Sequence, residues 1–564
     1  MSKPFFLAAI ALIPSASNAD TDGGSQKVLM TLAPVLDAKR MPIAMQVAYQ
    51  LPSRSSSQPL ILELDTLEPG LQRIRDQVSD LIVRDAVGTV TMNAQAKAGG
   101  GNGATFLRWQ AGRATSGTVS VSYTMPVALS KPPKRGPQQD LQAVGGGLSG
   151  AFSGFLLLPA GVADLDVKLH WRLPAGQSAV STRGIGDVAW TGSPEALRNT
   201  LFLSGPVARW PASSAPDGFV AAALGESAAK LPGAASWPKR AYEAERRTLG
   251  QPRTAYNLLI RSYDGGATMS GRADEGGYML YLPLGSDPAA AKLHQLVAHE
   301  MVHSLVGAMT GEPGEEGNWY TEGIANYLSI TVPHEAGLYD DVAYLRLINE
   351  EAIGYYSNVD RNLPNKMAAE TMYAGQNSWS LLYRRGDLYF ADLDAKLRDR
   401  KLGTVTDLVK VMVARTRAGT PATAAAWQQI LRERAGEWAV ADWQNMMRGD
   451  VIRPAKGAFG RCLVSKSVSI GLFDLGFSSP THLTAGAVIG GVDRASNAGR
   501  AGIRNGDVVE GGVDLNDYTN QIAKPIRLRL KRNGKLFDVT FDPHRGRVEG
   551  VQWVYDRTCA ERPG

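Results

Sequence analysis

The chain has 564 residues and a formal net charge of +6 at neutral pH, with 44% hydrophobic and 20% charged residues. This length exceeds what one hydrophobic core usually serves, so we expect roughly two to four domains in a soluble globular protein. A small positive charge spread over so long a chain argues against nucleic-acid binding, which needs basic residues clustered in a patch or stripe. The densest basic run, residues 526–532, alternates with apolar residues and is more simply a half-buried strand.

The N-terminus has the pattern of a secretory signal peptide. Lys3 precedes an apolar run from Phe5 to Ile13, and the small residues Ser17-Asn18-Ala19 come before Asp20. The run is too short to span a bilayer, and no later stretch is long and apolar enough to do so. We therefore expect cleavage of residues 1–19 and an exported protein, periplasmic or secreted, without a stable membrane span. A disordered or anchored N-terminus is the alternative.

Residues 20–211 are predicted to form an N-terminal β domain. Apolar and polar residues alternate in Asp164–Leu173 and, more weakly, in Thr118–Tyr123. Such alternation is typical of antiparallel strands with one face in water, and turns rich in Gly, Pro and Ser separate the segments. We expect a β-sandwich-like domain.

Residues 212–455 contain a metal-binding pattern within the apolar, helix-like segment Leu293–Leu305. His299-Glu300-x-x-His303 places two imidazoles four residues apart, so that both lie on one face of a helix and can bind one ion. Glu300 stands beside them and is the predicted general base. The pattern is that of a zinc hydrolase.

A catalytic zinc site needs a third protein ligand and an open position. Glu322 follows His303 after 18 residues and lies inside a second apolar helical pattern, where an unpaired charge would be costly. The run Gly311–Asn318, rich in Gly, Pro and Glu, supplies the turn between the two helices. We therefore predict one Zn²⁺ ion bound by His299, His303 and Glu322.

These motifs resemble those of the thermolysin-like zinc peptidases, the aminopeptidase branch in particular. The shared pattern is the His-Glu-x-x-His motif, 18 residues, and then Glu322 inside Trp319-x-x-Glu322-Gly323. Tyr383-Arg384-Arg385-Gly386 is similar to a Tyr-x-(Lys/Arg)-Gly motif whose Tyr stabilises the transition state, which implies that role for Tyr383. Residues 388–398 resemble the next helix of the glycyl aminopeptidase family, which begins with a β domain and ends in a PDZ domain. The resemblance implies a multidomain α+β protein with a thermolysin-like, mostly helical peptidase domain.

The segment Tyr278–Leu282 is predicted to be an edge strand next to the zinc cleft, able to pair with an extended peptide substrate. We therefore predict substrate contacts at Gly276, Gly277 and Tyr278. Aminopeptidases of the resembling branch carry a Gly-rich segment ending in a Glu that holds the free amine of the substrate, but here Glu275 precedes the glycines and none follows them. An aminopeptidase is the favoured function. A zinc endopeptidase of the same clan and a non-catalytic peptide-binding scaffold remain as alternatives.

Residues 456–564 resemble a PDZ domain. Residues 493–509 are similar to its short helix and Gly-Asp turn, and Asp474-Leu475-Gly476-Phe477 is similar to the loop whose amides bind a peptide C-terminal carboxylate. A peptide C-terminus is a candidate ligand, although the charge of Asp474 would repel it. Cys462 and Cys559 are the only cysteines and bracket this unit, so an exported protein with such a domain is expected to join them in a disulfide. Two free thiols are the alternative.

Overall fold

The structure is a computed structural model that describes residues 25–52, 59–65, 78–99, 105–127, 140–213, 218–263, 270–478, 483, 485–513, 515–522, 524–556 and 558–559. The predicted signal peptide, residues 1–19, lies outside them. The described chain divides into two compact units. One consists of residues 240–252 and everything from His294 onward, and the other of the residues up to Lys239 together with Arg253–Leu293. The domain boundaries at 211/212 and 455/456 remain predictions.

The N-terminal part of the chain is rich in strands, as predicted. Its elements are β1 (Gln26–Leu36), β2 (Pro42–Leu51), β3 (Ile61–Asp65), β4 (Ser79–Asp85), β5 (Gly88–Val90), β6 (Met92–Gly99), β7 (Thr105–Ala111), β8 (Val119–Pro126), β9 (Gln142–Val144), β10 (Gly147–Ala151), β11 (Leu158–Pro159), β12 (Leu165–Trp171), β13 (Ser178–Ser181), β14 (Gly184–Ile185), β15 (Val188–Gly192), helix α1 (Pro194–Arg198) and β16 (Leu201–Gly205).

Two of the sheets enclose one apolar core. Their strand orders are β15-β12-β1-β2-β8-β4-β5 and β11-β3-β7-β6. Every second residue of β12 is buried, which is the expected consequence of its alternating sequence. Val47 and Tyr123 of the first sheet share the core with Leu62 of the second. One pairing differs from the expected antiparallel pattern, since β1 and β12 run parallel. These two strands are far apart in the sequence, so no hairpin fixes their relative direction.

A further sheet of the same unit contains β17 (Ala208–Trp210), β18 (Phe219–Leu224), β19 (Tyr256–Tyr263), β20 (Ser270–Asp274) and β21 (Gly277–Pro283), in the order β17-β18-β19-β21-β20. The prediction that Tyr278–Leu282 is an edge strand is wrong, because β21 pairs with β19 on one side and with β20 on the other. Its uninterrupted apolar run is that of a strand covered on both faces, and Tyr278 through Leu282 are buried.

The unit that contains residues 240–252 and everything from His294 onward is mostly helical before its C-terminal strands. The helices are α2 (Leu231–Thr248), α3 (His294–Val306), α4 (Asn318–Glu335), α5 (Asp341–Tyr356), α6 (Asn365–Glu370), α7 (Gln376–Asp399), α8 (Val405–Arg417), α9 (Ala424–Arg434) and α10 (Glu437–Arg448), of which α2 begins in the other unit. Residues 388–398, which resemble a helix of the glycyl aminopeptidase family, lie in α7. Local signals set several ends: Thr404 and Asp407 form a capping box at α8, and Gly449 ends α10 with a φ of 93°.

The C-terminal region contains β22 (Leu463–Phe473), α11 (Asn497–Arg500), β23 (Val508–Val509), α12 (Asn516–Thr519), β24 (Ile526–Arg532), β25 (Lys535–Phe541) and β26 (His544–Tyr555). The basic run is the half-buried strand β24: its three apolar side chains are buried, whereas Arg527 and Arg529 are exposed. β22 and β26 pair antiparallel along their length. Among the described residues, no helix is both long and apolar enough to cross a bilayer.

Candidate metal centre and active site

Two helices bring the predicted metal ligands together. His299 and His303 lie one turn apart on α3, and their Nε2 atoms are 3.0 Å from each other. Glu322 comes from α4, and its Oε2 lies 3.1 Å from Nε2 of His299 and 3.3 Å from Nε2 of His303. Helix α3 ends at Val306, and the next residue, Gly307, has a φ of 80° and donates its N–H to the carbonyl of His303. The loop that follows turns the chain so that α4 can present Glu322.

The arrangement of the three donor atoms fits a zinc ion. A tetrahedral ion with bonds of about 2.1 Å holds its ligand atoms about 3.4 Å apart, close to the separations seen here. Two nitrogens and one carboxylate oxygen form the donor set of a catalytic zinc site with one position left for water or substrate. Among the described residues, His299, His303 and Glu322 are the one group of three or more His, Cys, Asp or Glu side chains whose ligand atoms lie close enough together to hold a metal ion.

For Glu322 and His299, burial and mutual charge favour the protonation states that a metal requires, whereas His303 must release a proton to bind one. Burial opposes ionisation of Glu322, but His303 and His299 lower its pKa to about 2. Burial lowers the pKa of His299, which favours the neutral imidazole. Burial also acts to lower the pKa of His303, but attraction to Glu322 outweighs it and raises the pKa. A carboxylate and an imidazole with a free lone pair are the ligand forms that bind zinc.

Glu300 lies beside the cluster in a different electrostatic state. It is buried, and neither carboxylate oxygen has a hydrogen-bond partner in the described part of the chain. Burial raises its pKa to about 8, with His303 acting in the opposite direction. A carboxyl group whose pKa lies near neutrality can both accept and return a proton.

Tyr383 of α7 completes the cluster. Its ring stacks on that of His299, with centroids 6.2 Å apart and an interplanar angle of 13°. Its hydroxyl is buried and has no hydrogen-bond partner among the residues described. Burial and then the charges of Glu322 and Glu300 raise the pKa of this phenol, so it remains protonated and can donate a hydrogen bond.

The glycines of the two sequence motifs let α4 and α7 approach closely. A Cβ on Gly323 would collide with Cα of Gly386, and a Cβ on Gly386 would collide with the carbonyl oxygen of Trp319. Glu322 directly precedes the first glycine, and Tyr383 lies one turn before the second. The crossing therefore fixes the third metal ligand relative to the phenol.

A polar group that the sequence analysis did not identify lies behind the ligands. Asn326 follows Glu322 by one turn, and interaction with its side chain favours the charged form of His299. Its Nδ2 donates to Oε2 of Glu351 on α5 at 3.3 Å, and Nε of Arg384 lies 3.7 Å from the same oxygen. The spacing of four residues between Glu322 and Asn326 was the available signal, because it places both on one face of α4.

The predicted substrate residues Gly276, Gly277 and Tyr278 lie in the other unit, in and just before β21. A Cβ on Gly276 would collide with the carbonyl oxygen of Thr182, and one on Gly277 with that of Asn257. Tyr278 is fully buried. These contacts give all three residues a packing role. Their contact with substrate remains a prediction.

In the C-terminal region, Cys462 and Cys559 form a disulfide, with Cα atoms 5.5 Å apart. The carboxylate of Asp474 does not point at an open loop: Oδ1 accepts the N–H of Gly476 at 2.8 Å, and Oδ2 pairs with Nε of Arg545 at 2.9 Å. An amide of the predicted carboxylate-binding loop is thus already occupied by the chain's own carboxylate.

Solved structures with a similar fold include an aminopeptidase N family protein from Idiomarina loihiensis. It matches 93% of this chain and 98% of its own, with 14% sequence identity and a TM-score of 0.65. An M1 zinc metallopeptidase from Deinococcus radiodurans matches 76% of this chain and 94% of its own, with 17% identity and a TM-score of 0.46. No family profile and no curated protein sequence matches the chain. At 14% identity, the first likeness shows that the two proteins share a fold.

Proposed function

We propose that the protein is an exported zinc-dependent peptidase, with aminopeptidase action as the favoured reaction. The observation that carries this proposal is the convergence of three donor atoms, 3.0–3.3 Å apart, beside a buried carboxyl group and a buried phenol. These are the parts that hydrolysis of a peptide bond needs: a metal, a base and a hydrogen-bond donor. The shared fold with a protein of the aminopeptidase N family supports the aminopeptidase assignment.

Each side chain has a separate task in the proposed reaction. One Zn²⁺ ion, held by His299, His303 and Glu322, supplies Lewis acidity and lowers the pKa of water. Glu300 takes a proton from the attacking water and later gives it to the nitrogen of the leaving amine, as the C–N bond breaks. Tyr383 donates a hydrogen bond to the former carbonyl oxygen while negative charge develops on it. The products are a carboxylic acid and an amine.

The substitution Glu300→Gln tests the assignment of the base. It removes the proton acceptor but none of the ligands, so we expect kcat to fall by about 10²–10⁴-fold while one zinc per chain is retained. His303→Ala is the matched variant and should lose the metal as well. Metal analysis together with peptide hydrolysis separates the two effects. Full hydrolysis by the Gln variant would exclude the mechanism, and a non-catalytic scaffold would keep its biological activity in that variant.

A peptide-library digest distinguishes the two peptidase types. An aminopeptidase should cleave peptides with free N-termini and leave their acetylated counterparts intact, and a chelator should abolish cleavage. Cleavage of the acetylated peptides at internal bonds would instead identify an endopeptidase of the same clan.

Export rests on the signal-peptide pattern of residues 1–19, and the pairing of Cys462 with Cys559 supports it because disulfides persist in oxidising compartments. A mature N-terminus at Asp20 in the periplasm or medium is the expected result of fractionation and mass spectrometry.

We also propose that residues 456–564 form a PDZ-like domain. Because Asp474 occupies the loop, we expect peptides with a free C-terminus to bind no better than their amidated forms.

A further inference from the structure

A row of aromatic rings leads from the metal ligands towards solvent. The ring of Tyr383 stacks on His299, Trp379 lies one turn earlier on α7 with its ring 5.9 Å from that of Tyr383, and Tyr373 lies 5.5 Å beyond Trp379. Exposure increases along the row: Tyr383 is 3% exposed, Trp379 is half-buried and Tyr373 is 63% exposed. An exposed Tyr at the outer end of such a row is available to a ligand that approaches the metal.

A carboxylate is fixed at the outer end of this row. Oε1 of Glu315 accepts a hydrogen bond from the hydroxyl of Tyr373 at 2.8 Å, and Oε2 accepts one from Nδ2 of Asn318 at 2.7 Å. Asn318 is buried and is the first residue of α4, so the carboxylate is tied to the helix that carries Glu322. An ionised carboxylate has about four acceptor positions, and two are used here. Within the described chain, no Lys or Arg forms an ion pair with Glu315.

The outer carboxylate is electrostatically connected to the metal centre. Partial desolvation raises the pKa of the Tyr373 hydroxyl, and the charges of Glu315 and Glu322 raise it further. Glu315 also contributes to the raised pKa of Tyr383, after burial and nearer groups. The side chains of the row and of the metal cluster therefore lie within each other's fields.

The chemistry of this group selects a cation. A fixed carboxylate with free acceptor positions forms strong hydrogen bonds with ammonium or guanidinium groups, and the faces of Trp and Tyr attract the same groups. We propose that Glu315, Tyr373 and Trp379 form a subsite that binds a Lys or Arg side chain of the peptide substrate, an inference that rests on the proposed peptidase function.

Distance favours a side chain over the free amine of an aminopeptidase substrate. Within the subsite, Trp379 lies 5.9 Å from the ring of Tyr383, and Tyr373, which holds Glu315, lies a further 5.5 Å from Trp379. An extended peptide advances about 3.3 Å per residue, so these two distances together correspond to about three residues. The amine of an aminopeptidase substrate belongs to the residue that contains the scissile carbonyl and would lie too close to the metal. The basic residue is thus expected within about three positions of the scissile bond.

The test compares Glu315→Gln with Glu316→Gln, which removes the same charge one residue away. The substrates are pairs of peptides with free N-termini that carry Lys or Arg, or the neutral norleucine, at one of the first four positions. For the wild type and for Glu316→Gln we expect a preference for the basic peptide at one position. Glu315→Gln should lower kcat/KM for that peptide by about tenfold to hundredfold through KM, and should affect the norleucine peptides no more than Glu316→Gln does.

Two results would overturn the subsite: no preference for basic peptides in the wild type, or an equal loss in Glu316→Gln. The norleucine peptides report on the peptidase function itself, because its failure would leave them uncleaved by every variant. In that case, binding is measured by calorimetry in the zinc-loaded Glu300→Gln protein, with and without Glu315→Gln. Equal affinity for basic and neutral peptides there would also exclude the subsite.

Discussion

The phenol of Tyr383 is separated from any hydrogen-bond partner in the described chain, yet its ring is fixed against His299. Tyr383→Phe removes the hydroxyl and keeps the ring, so the metal ligands should stay in place. We expect kcat to fall by about 10²-fold with little change in KM, because the lost hydrogen bond forms only when charge develops on the substrate oxygen. Steady-state kinetics with metal analysis measures this. Unchanged kcat would remove Tyr383 from the reaction.

Glu245 of α2 is a buried carboxyl group that the proposed mechanism does not use. Neither of its oxygens has a hydrogen-bond partner among the described residues, and burial raises its pKa well above the usual value. A carboxyl group whose pKa is higher in the folded than in the unfolded chain keeps its proton on folding. Stability is therefore fully present below the unfolded pKa and falls as the pH rises through it towards the folded pKa.

Glu245→Gln removes this titration, so we expect it to raise the stability of the protein at pH 8, where the wild type must either ionise the buried carboxyl group or keep its proton above the unfolded pKa. At pH 4, where the carboxyl group is mostly protonated in both states, the difference between the two unfolding temperatures should be smallest. Thermal unfolding monitored across this pH range gives the comparison. If the unfolding temperatures of the two proteins differed by the same amount at every pH, folding would not shift the pKa of Glu245.

At the scale of elements, the crossing of α4 and α7 determines the geometry of the site. Ala is favoured over Gly in a helix interior by about 1 kcal/mol, so propensity alone predicts that Gly386→Ala is stabilising. The structure predicts the reverse, because the new Cβ would collide with the carbonyl oxygen of Trp319. We expect a loss of about 1–3 kcal/mol and at least a tenfold lower kcat, as Tyr383 shifts relative to Glu322.

Gly511→Ala is the control, since this glycine is exposed and a Cβ there would meet nothing within 4 Å. Unfolding temperature and kcat/KM are measured for both variants. Normal stability and activity in Gly386→Ala would show that the two backbones are not in the contact described.

The elements also show what the sequence could and could not predict. His299, Glu300 and His303 share one helix, so local spacing sufficed to predict their convergence. Glu322 was predicted from its spacing to His303 and its apolar surroundings, and Tyr383 from the motif that it shares with the resembling family. Pairing between distant segments has no local signal, which is why β21 was wrongly predicted to lie at an edge. Tyr373 and Glu315 form a hydrogen bond although they are 58 residues apart in the chain, and no periodic pattern in the sequence connects them.

For the whole molecule, the C-terminal strands are joined both to each other and to the helices of the active site. Asn349 of α5 exchanges two hydrogen bonds with the backbone of Trp553 on β26, at 3.0 and 2.7 Å. Phe473 at the end of β22 donates its N–H to the carbonyl of Ser357 and accepts from Asn377, near the start of the helix that carries Tyr383. The C-terminal region thus supports α5 and α7 as well as its own sheets.

The disulfide between Cys462 and Cys559 joins the outer ends of β22 and β26 and links positions 97 residues apart. Restricting the unfolded chain over such a length stabilises the folded protein by about 4.7 kcal/mol in the chain-entropy model. Replacing both cysteines by Ser should therefore lower the unfolding temperature and expose residues 463–556 to proteolysis. Because these strands contact α5 and α7, the kcat of the double variant should fall at temperatures at which the C-terminal region unfolds. Below those temperatures the variant should still bind zinc. The wild type treated with a reductant should behave like the double variant, and unchanged unfolding and proteolysis in both would show that the cross-link contributes nothing to this region.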